Sequence, residues 1–440
     1  MIYKKAAFYT LGCKVNQYES EAMAGILATN DYNIVKFEEF SDVYIVNTCT
    51  VTGLADRKCR QVIRRAKKLN PDAVVVAMGC YSQIAPEEVA KIPEVDIVLG
   101  TDGRKLLPEI LKTYFSDVNK RDEPLIHVGS IKHIREFEEL GIESYTEHTR
   151  AFLKIQDGCN RYCSYCIIPY ARGTVRSKLP KNVISDIKQL ITKGYKEFVL
   201  TGIHLASYGT DLKNIDLVGI LKLICTLDGD FRIRLGSIEP MTVTPEFTEF
   251  VAGNEKICPH FHISLQSGSD SVLKRMNRRY TASEYFDKCK MLKERIPNLS
   301  ITTDIIVGFP GETEEEFEET LEFARKVYFS KIHVFKYSLR KGTPASDMPF
   351  QISPEVKEAR GLRLIALSEK MANDFATSVN GEYVRVLFEE KKKDKYEGHC
   401  ENYLKVICQY DGEHELCGNI YDVMIYGSEK DCLLGKISEN

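Results

Sequence analysis

Short apolar runs alternate with helical patterns over most of the chain, and this alternation limits the possible folds more than any other feature of the sequence. Within residues 1–118, the runs typical of strands lie at 6–10, 43–47, 73–78 and 97–99. Amphipathic stretches at 17–27 and 53–69 fall between them. Because strands that alternate with helices usually form parallel sheets, we predict an open, largely parallel α/β sheet here.

The same alternation resumes in residues 149–375, after a polar and charged stretch at 119–148 that we interpret as a linker. Six further runs typical of strands occur there, at 151–156, 197–201, 232–236, 260–264, 301–307 and 331–337. Six βα units in one block predict a partial TIM-like (β/α)6 barrel with fewer than eight strands. An open sheet would give the same pattern and remains an alternative.

The C-terminal part of the chain has a different pattern. A helical stretch at 349–371 leads from the block of βα units toward residues 376–440. This last region contains five short strand-like runs, at 383–388, 396–399, 404–408, 419–424 and 432–436. Short strands in close succession predict a small antiparallel β-barrel. The chain is therefore predicted to be α/β, with an all-β unit at its end.

Composition and charge restrict the classes of function. The 440 residues have a formal net charge of −3, so any nucleic-acid site must be a local basic patch. There is no secretory signal and no apolar run of about 18 residues, so we expect a cytoplasmic protein that does not enter a membrane. In a reducing cytosol, the 14 cysteines indicate metal or redox chemistry for some and burial for the others. We expect a monomer.

The most specific motif is Cys159-x3-Cys163-x2-Cys166, which directly follows the first strand-like run of the central block. Three thiolates within eight residues can bind one face of a 4Fe–4S cube and leave the fourth iron without a protein ligand. Three ordinary buried cysteines or a zinc knuckle are the alternatives. Zinc usually needs four ligands, and no matching fourth cysteine lies nearby.

This motif resembles that of the radical S-adenosylmethionine (SAM) superfamily. The resemblance implies that SAM chelates the open iron and is cleaved to a 5′-deoxyadenosyl radical. Segments at the carboxyl ends of later strands would then hold SAM, since ligand groups gather there in α/β folds. A residue just after a strand can also belong to an ordinary turn, so each assignment has a structural alternative. The candidate SAM contacts are Thr201, Gly202, His204, Ser237, Glu239, Gln266 and Gly308, with Arg234 as a further candidate.

Three more cysteines, Cys13, Cys49 and Cys80, each lie just after a strand-like run of the N-terminal sheet. If that sheet is parallel, the three thiols meet at its carboxyl edge and could bind a second 4Fe–4S cluster with one open iron. Three buried cysteines are again the alternative. The eight other cysteines are interpreted as small buried hydrophobic residues, although Cys59 could approach the same edge if its helix begins there.

The residues around these cysteines carry a second resemblance. The runs Thr10-Leu-Gly-Cys-Lys-Val-Asn-Gln-Tyr-Glu-Ser20, Asn47-Thr-Cys-Thr-Val51 and Met78-Gly-Cys-Tyr-Ser82 are similar to the N-terminal domain of the radical SAM methylthiotransferases. The resemblance implies an auxiliary cluster that carries the sulfur to be transferred, and two SAM molecules per product. One SAM would donate a methyl group to sulfur, and the other would supply the radical.

Two runs bear on the substrate. The run at 10–20 and Thr201-Gly-Ile-His-Leu-Ala-Ser-Tyr-Gly209 are similar to the enzymes that act on N6-threonylcarbamoyladenosine next to the tRNA anticodon. The resemblance implies that the anticodon stem-loop of tRNA is bound and that this nucleoside becomes its 2-methylthio derivative. It also implies an electron-donor protein, such as a flavodoxin or ferredoxin, and a sulfur donor. Isopentenyladenosine in tRNA, a ribosomal-protein aspartate, and a non-enzymatic iron–sulfur RNA-binding protein remain as alternatives.

Residues 397–406 resemble part of a TRAM domain, a small β-barrel that binds RNA. Tyr403 could stack on a base, and a lysine run at a predicted hairpin tip could contact phosphates, with a solvated turn as the alternative. Two arginines that follow the loop of Cys159, Cys163 and Cys166 could contact the RNA backbone. Arg340 is a similar candidate, and a salt bridge is the alternative for it. No catalytic residue beyond the cluster ligands is assigned. The candidate RNA contacts are Arg172, Arg176, Lys391, Lys392, Lys393 and Tyr403.

Overall fold

The computed structural model of the chain describes residues 4–116, 123–141, 149–412 and 414–438. Helices and strands alternate as far as residue 378, and strands alone follow. Short 3-10 helices lie in the connections, at Arg104–Leu106, Ile131–His133, Leu205–Ser207, Pro240–Thr242 and Pro344–Ser346. None of the described helices combines the length and apolarity that a membrane crossing requires.

The N-terminal part is an open, six-stranded sheet. Its strands are β1 Lys4–Thr10, β2 Tyr32–Val35, β3 Val43–Thr48, β4 Val74–Gly79, β5 Ile97–Leu99 and β6 Leu125–His127. Its helices are α1 Lys14–Ala28, α2 Gly53–Leu69, α3 Cys80–Ile84, α4 Pro86–Ala90 and α5 Leu107–Ser116. All pairs are parallel in the order β2-β1-β3-β4-β5-β6, which confirms the predicted sheet. β6 lies within the stretch predicted as a linker, so part of that stretch extends the sheet.

The sequence explains why β3 and β4 are central. Both strands are buried along their whole length, as expected for parallel strands covered by helices on both faces. α2 begins where the side chain of its N-cap residue Thr52 accepts a hydrogen bond from the backbone N–H of Ala55, which satisfies a donor of the first turn. These features fix the direction of the sheet and of α2.

The central part contains seven strands and seven helices among the described residues. The strands are β7 Ala151–Asp157, β8 Arg176–Ser177, β9 Glu197–Gly202, β10 Arg232–Leu235, β11 His260–His262, β12 Ser300–Val307 and β13 Lys331–Lys336. The helices are α6 Ile168–Arg172, α7 Pro180–Thr192, α8 Leu217–Cys225, α9 Pro245–Ala252, α10 Asp270–Arg275, α11 Ala282–Arg295 and α12 Glu314–Val327.

Six of these strands form the predicted partial barrel. β7, β9 and β10 pair in parallel, and so do β11, β12 and β13. Parallel bridges between Ile233 and Ile257 and between Ile238 and Ile263 join the two groups. β8 adds two antiparallel residues beside β7. The curved (β/α)6 arrangement is therefore confirmed.

The C-terminal part follows the long helix α13 Pro354–Ser378. Its strands are β14 Tyr383–Lys392, β15 Lys395–Cys400, β16 Lys405–Gln409, β17 Ile420–Glu429 and β18 Cys432–Ile437. They close into a barrel in the order β14-β15-β16-β18-β17, which confirms the predicted small barrel. All pairs are antiparallel except β16 with β18, which is parallel.

One hydrophobic core runs from the N-terminal sheet into the central barrel. Tyr18 of α1 and Met78 of β4 belong to the same buried cluster as Leu153 of β7. The other face of the N-terminal sheet packs under α2, around Ile63 and Cys59. Because the sheet and the barrel share a core, the carboxyl ends of their strands are held in a fixed relation to each other. That relation positions the candidate site.

Candidate active site

The first cysteine site lies at the carboxyl edge of the N-terminal sheet, where β1, β3 and β4 end in register. Cys13 is the N-cap of α1, Cys49 follows β3, and Cys80 is the first residue of α3. Gly12 adopts a φ of +103°, and a Cβ at this position would lie 3.0 Å from the Sγ of Cys49. A glycine therefore lets the loop before α1 approach Cys49 closely. The sheet brings the three predicted ligands to one edge.

Burial determines the protonation of two of these thiols. It raises the pKa of Cys49 to about 12 and also raises the pKa of Cys80, and the neighbouring thiols raise both further. Alone, such thiols stay neutral at pH 7, whereas bound iron deprotonates its thiol ligands. Two buried thiols and the exposed thiol of Cys13 therefore supply three sulfur donors that fit an iron–sulfur cluster.

A mononuclear site fits less well. Among the described residues, no three His, Cys, Asp or Glu side chains are close enough together to hold a single metal ion. All 14 cysteines lie in the described ranges, and none of them is in a disulfide. Zinc would need a tight tetrahedral set, whereas a four-iron cube is larger and takes ligands that stand further apart. The spacing thus favours a cluster over zinc.

Arg172 and Arg176 do not face RNA. Arg172 is fully buried, its Nε donates to the Sγ of Cys80 at 3.2 Å, and its two terminal nitrogens donate to Glu19. Arg176 is also buried and pairs with Asp157 at 3.2 Å. The prediction that these two arginines bind RNA backbone is wrong, because a strand of RNA cannot reach them. Arg172 is instead the last residue of α6, the helix after the loop of Cys159, Cys163 and Cys166, and it connects this helix to the first cysteine site.

Glu19 is the centre of a buried ionic network between α1 and the central barrel. It pairs with Lys154 of β7 at 2.8 Å, with Arg104 at 2.6 Å and with Arg172 of α6. Burial alone would raise the pKa of the Glu19 carboxyl, but Arg104, Arg172 and Lys154 hold it well below its usual value. The network therefore joins the first site to the strand and helix that flank the second.

The second cysteine site is the loop that follows β7. Gly158 adopts a φ of +71°, and a Cβ there would lie 1.9 Å from the carbonyl oxygen of Thr174, so this turn requires glycine. The N–H of Cys166 donates to the carbonyl of Cys163 at 3.0 Å. Burial raises the pKa of Cys159 to about 11 and that of Cys166 to about 12. This donor set fits a cluster for the same reason as the first.

A network of cations and one carboxylate supports this loop. Arg278 donates to the Sγ of Cys163 at 3.2 Å and pairs with Glu239 at 3.3 Å. Glu239 also contacts Arg161 at 2.8 Å and the Nε2 of His204 at 3.1 Å. Burial would raise the pKa of Glu239, but the hydrogen bond from His204 and the charges of Arg278 and Arg161 bring it to about 2. The carboxylate is therefore ionised and surrounded by donors.

The other candidate SAM contacts lie at strand ends, as predicted, but in different surroundings. Thr201 is buried in β9, and Ser237 is exposed after β10. A Cβ on Gly202 would lie 2.8 Å from the Oε1 of Gln156, so glycine allows β9 and β7 to approach. Gln266 has a φ of +73° and bridges toward β12. The role of these four residues in binding SAM stays a prediction.

Two further candidates have structural partners. A Cβ on Gly308 would lie 2.3 Å from the Cγ of Lys357, so its open side is filled by α13. Arg234 pairs with Glu197 at 2.8 Å and donates to the backbone carbonyl of Glu401 in the C-terminal barrel at 2.9 Å. Arg234 therefore holds the two barrels together, and the prediction that it contacts SAM is wrong.

A cavity of about 210 Å³ has walls from both the N-terminal sheet and the central barrel. Cys166 of the second site lines it, and so do Val51 and Thr52, which follow Cys49 of the first. The cluster loop and the ends of β12 and β13 form the other walls: Tyr165, Ile167, Ile168, Gln266, Asp304, Ile306, Phe335, Lys336, Tyr337 and Ser338. Mostly apolar walls with a few polar groups are typical of a small-molecule or base-binding site.

At the wall of the cavity, an ion pair links the segment after β13 to α2. Arg340 pairs with Asp56 at 2.6 Å and donates to the Oγ1 of Thr50 at 2.6 Å. The N–H of Gly53 donates to the Oγ of Ser338 at 3.1 Å. The salt-bridge alternative for Arg340 is therefore correct. These contacts hold the N-terminal sheet against the mouth of the central barrel.

Tyr403 lies between the two barrels and not on an open surface. Its hydroxyl accepts a hydrogen bond from Arg150 at 3.1 Å. The rings of His260 and His399 lie 4.7 and 4.9 Å from its ring centroid, and the guanidinium of Arg234 lies 4.6 Å from it. Tyr403 is half-buried among these groups, and stacking of its ring on an RNA base stays a prediction.

The lysines predicted at a hairpin tip do lie there, at the junction of β14 and β15, and all three are exposed. Lys392 pairs with Glu390 at 3.1 Å and with Glu397 at 2.9 Å, which offsets its charge. The Nζ of Lys391 lies 4.9 Å from the ring centroid of Tyr396. RNA contact by Lys391, Lys392 and Lys393 stays a prediction.

Sequence reasoning gave Cys59 only as an alternative and missed other residues of the site. Cys59 is buried, and its Sγ lies 3.4 Å from the backbone nitrogen of Cys49, so it does approach the first site. Glu19 lies within the run at 10–20 that also contains Cys13. Its position near apolar residues of a helix was the signal that could have indicated a buried carboxylate. Nothing in the spacing of Arg278 indicated its contact with Cys163.

Comparison with known families and proteins agrees with this architecture. The model described as Radical SAM superfamily matches residues 153–324, and the one described as Uncharacterized protein family UPF0004 matches residues 5–100. The threonylcarbamoyladenosine tRNA methylthiotransferase MtaB of Bacillus subtilis (strain 168) is 45% identical over 95% of this chain and 93% of that protein. A tRNA-2-methylthio-N(6)-dimethylallyladenosine synthase of Pelotomaculum thermopropionicum is 35% identical over 99% and 98%.

Solved structures share the fold at much lower identity. The radical S-adenosylmethionine methyltransferase TsrM from Kitasatospora setae superposes with a TM-score of 0.58 at 15% identity, over 78% of this chain and 77% of that chain.

The MtaB of Aquifex aeolicus is 41% identical over 88% of this chain and 94% of that protein. Sequence identities of 45% and 41% to the two MtaB proteins, over 95% and 88% of this chain, show the family. The chain belongs to the radical SAM methylthiotransferases.

Proposed function

We propose that the protein converts N6-threonylcarbamoyladenosine next to the tRNA anticodon to its 2-methylthio derivative. The observation that carries this proposal is the cavity lined both by Cys166 of the second site and by Val51 and Thr52, which follow Cys49 of the first. Identity of 45% to the B. subtilis enzyme named for this nucleoside favours it over isopentenyladenosine, since the P. thermopropionicum synthase is 35% identical.

Each cysteine site would hold one 4Fe–4S cluster through three thiolates. When bound, the two clusters and SAM supply the carbon-centred radical and the transferable sulfur that protein side chains cannot provide. The aromatic C2–H of adenine resists bases, which is why such cofactors are needed. The proposed ligands are Cys13, Cys49 and Cys80 for the auxiliary cluster, and Cys159, Cys163 and Cys166 for the cluster that binds SAM.

The chain's own residues would orient these groups. Arg278 holds the Sγ of Cys163 by a charge-assisted hydrogen bond, and Arg172 does the same for Cys80. Because Glu239 is already surrounded by cations, we infer that it acts on SAM indirectly, by fixing Arg161 and His204 beside the loop. Each of these groups is locked by a second partner, as precise positioning requires.

The cavity walls would hold the base and exclude water. Phe335 and Ile306 offer apolar faces to a planar ring, while Asp304 and Gln266 offer polar atoms at its edge. The adenine must leave the stack of the anticodon loop to enter, as in other enzymes that modify a base. Thr201, Gly202, Ser237 and Gly308 remain proposed SAM contacts on their position at strand ends.

We further propose three functional units. Residues 1–118 bind the auxiliary cluster, residues 149–375 bind SAM, and residues 376–440 form a TRAM domain that binds RNA through its hairpin lysines, with 119–148 as the connection. The enzyme would act as a monomer in the cytoplasm. It would receive electrons from a flavodoxin or ferredoxin and sulfur from a separate donor.

Mass spectrometry of nucleosides tests the function. Bulk tRNA is taken from cells that lack this protein, and from the same cells expressing the wild type, Cys163→Ala or the matched control Cys225→Ala. Cys225 is the last residue of α8 and belongs to neither cysteine site. We expect the 2-methylthio derivative of N6-threonylcarbamoyladenosine with the wild type and Cys225→Ala, and none with Cys163→Ala. Methylthiolation of isopentenyladenosine instead would refute the substrate, and no methylthiolation by iron-loaded wild type would refute the function.

A further inference from the structure

α2 carries a dense positive charge in a chain whose formal net charge is −3. Its 17 residues include seven arginines or lysines and one acidic residue, Asp56. Asp56 is engaged by Arg340 at 2.6 Å, so it does not offset the charges along the helix. A solvated face would usually mix charges of both signs, and this helix does not.

The basic residues of α2 fall into two groups. Arg60, Arg65 and Lys67 pair with carboxylates at 2.9–3.5 Å. The other four are exposed and form no ion pair with any residue in the described ranges. These four are Arg57, Lys58, Arg64 and Lys68. Their charge is therefore available to a partner.

Three of the four unpaired residues lie on one face of the helix. At about 100° per residue, Arg57, Gln61, Arg64 and Lys68 fall within about 40° of one line, and Lys58 lies about 90° to one side of it. The buried residues of α2 lie on the opposite side: Cys59, Val62, Ile63 and Ala66. From Arg57 to Lys68 the stripe is about 16 Å long, at about 1.5 Å per residue. We call Arg57, Lys58, Gln61, Arg64 and Lys68 the α2 stripe.

The α2 stripe is continuous with the cavity. Val51 and Thr52, which line the cavity, directly precede α2, and Leu54 in its first turn is exposed. Beyond Leu54, no large hydrophobic side chain of α2 is exposed. A protein partner would require an apolar or aromatic centre of contact, whereas a phosphodiester backbone requires only regularly spaced cations. The chemistry of the stripe therefore favours nucleic acid.

We propose that the α2 stripe binds the sugar–phosphate backbone of the tRNA whose anticodon loop enters the cavity. This inference rests on the proposed function, since it takes the substrate to be tRNA. It places an RNA-binding surface on the N-terminal sheet as well as on the C-terminal barrel. Arg64 and Lys68, about one turn apart, and Arg57, about two turns before Arg64, would contact phosphates along the strand and orient the loop toward the two cysteine sites.

The salt dependence of tRNA binding tests the proposal. The probe is tRNA that carries N6-threonylcarbamoyladenosine, and the protein is the anaerobically reconstituted holoenzyme. Kd is measured by fluorescence anisotropy from 50 to 200 mM salt for the wild type and for Arg64→Gln/Lys68→Gln. The matched control, Arg325→Gln/Lys326→Gln, removes two exposed charges from the last turn of α12.

Each lost phosphate contact makes the decrease of log K with log salt shallower by about 0.7–0.9. The variant Arg64→Gln/Lys68→Gln therefore reduces the steepness by about 1.4–1.8. Its affinity deficit against the wild type then shrinks about 7–12-fold between 50 and 200 mM salt. The control keeps the wild-type slope. A second variant, Arg57→Gln/Lys58→Gln, repeats the test at the cavity end of the stripe, so the result does not depend on a single pair of substitutions.

The outcomes separate this proposal from the proposed function. Wild-type slopes in both stripe variants would overturn the proposal and leave the function intact. Weakened binding of a flavodoxin with unchanged binding of tRNA would also overturn it, and would assign the stripe to the electron donor. A wild-type holoenzyme that does not bind this tRNA at any salt concentration would refute the proposed function itself.

Discussion

Replacing Glu19 by glutamine should loosen the contact between the N-terminal sheet and the central barrel. Glu19 is fully buried and pairs with Arg104, Lys154 and Arg172. The variant keeps the shape of the side chain but removes its charge. Three buried cations would then depend on the remaining carboxylates of the network, such as Asp157, which already pairs with Lys154 at 2.6 Å.

The expected cost follows from this geometry. Removing one partner of a buried ion pair leaves an uncompensated charge and costs about 3–5 kcal/mol. Because the folded state holds the pKa of Glu19 well below its usual value of 4.5, the carboxylate stabilises the fold fully above about pH 4.5. That contribution is lost as the pH falls through the lowered pKa. The difference between wild type and Glu19→Gln should therefore shrink below about pH 4.5.

Urea unfolding of the two proteins at pH 7 measures this cost. Glu322→Gln is the matched control, because Glu322 is exposed on α12 and forms no ion pair with a described residue. We expect a change within about 0.5 kcal/mol for the control. If Glu19→Gln cost less than about 1 kcal/mol, with an unchanged m-value, the buried network would not hold the two units together.

Three further changes probe other parts of the site. Arg172→Lys keeps a charge but loses the Nε–H that contacts Cys80. The reduction potential of the auxiliary cluster should therefore fall in an EPR-monitored redox titration, and an unchanged potential would contradict that contact. Gly158→Ala places a Cβ 1.9 Å from Thr174, so the reconstituted protein should lose about four of about eight irons, and full iron loading would refute the argument. Glu197→Gln removes the carboxylate that aligns Arg234 with the C-terminal barrel, so limited proteolysis should cut faster between α13 and β14, and a wild-type rate would count against this role.

The sequence predicted the elements that depend on local pattern. The cysteines after β1, β3 and β4 were placed at one edge because apolar runs and helical patterns alternate, and parallel strands end together. The loop of Cys159, Cys163 and Cys166 followed from the position of a short motif after a strand. These inferences needed no knowledge of which faces pack together.

Burial of charged residues could not be predicted in this way. Arg172 and Arg176 have the chemistry of RNA contacts, and only the packing of separate units shows that they are enclosed. Glu19, the partner of Arg172, lies 153 residues away in sequence. β6 was missed because three residues of weak pattern gain their structure from pairing with β5.

Iron content with Mössbauer spectroscopy tests the central claim, that two three-cysteine sites each bind a cluster beside one cavity. After anaerobic reconstitution, we expect about eight irons per chain in the wild type, all in 4Fe–4S clusters. The variant with Cys13, Cys49 and Cys80 all changed to alanine should hold about four, and so should the variant with Cys159, Cys163 and Cys166 changed. About four irons in the wild type, unaltered by the first triple change, would contradict the account.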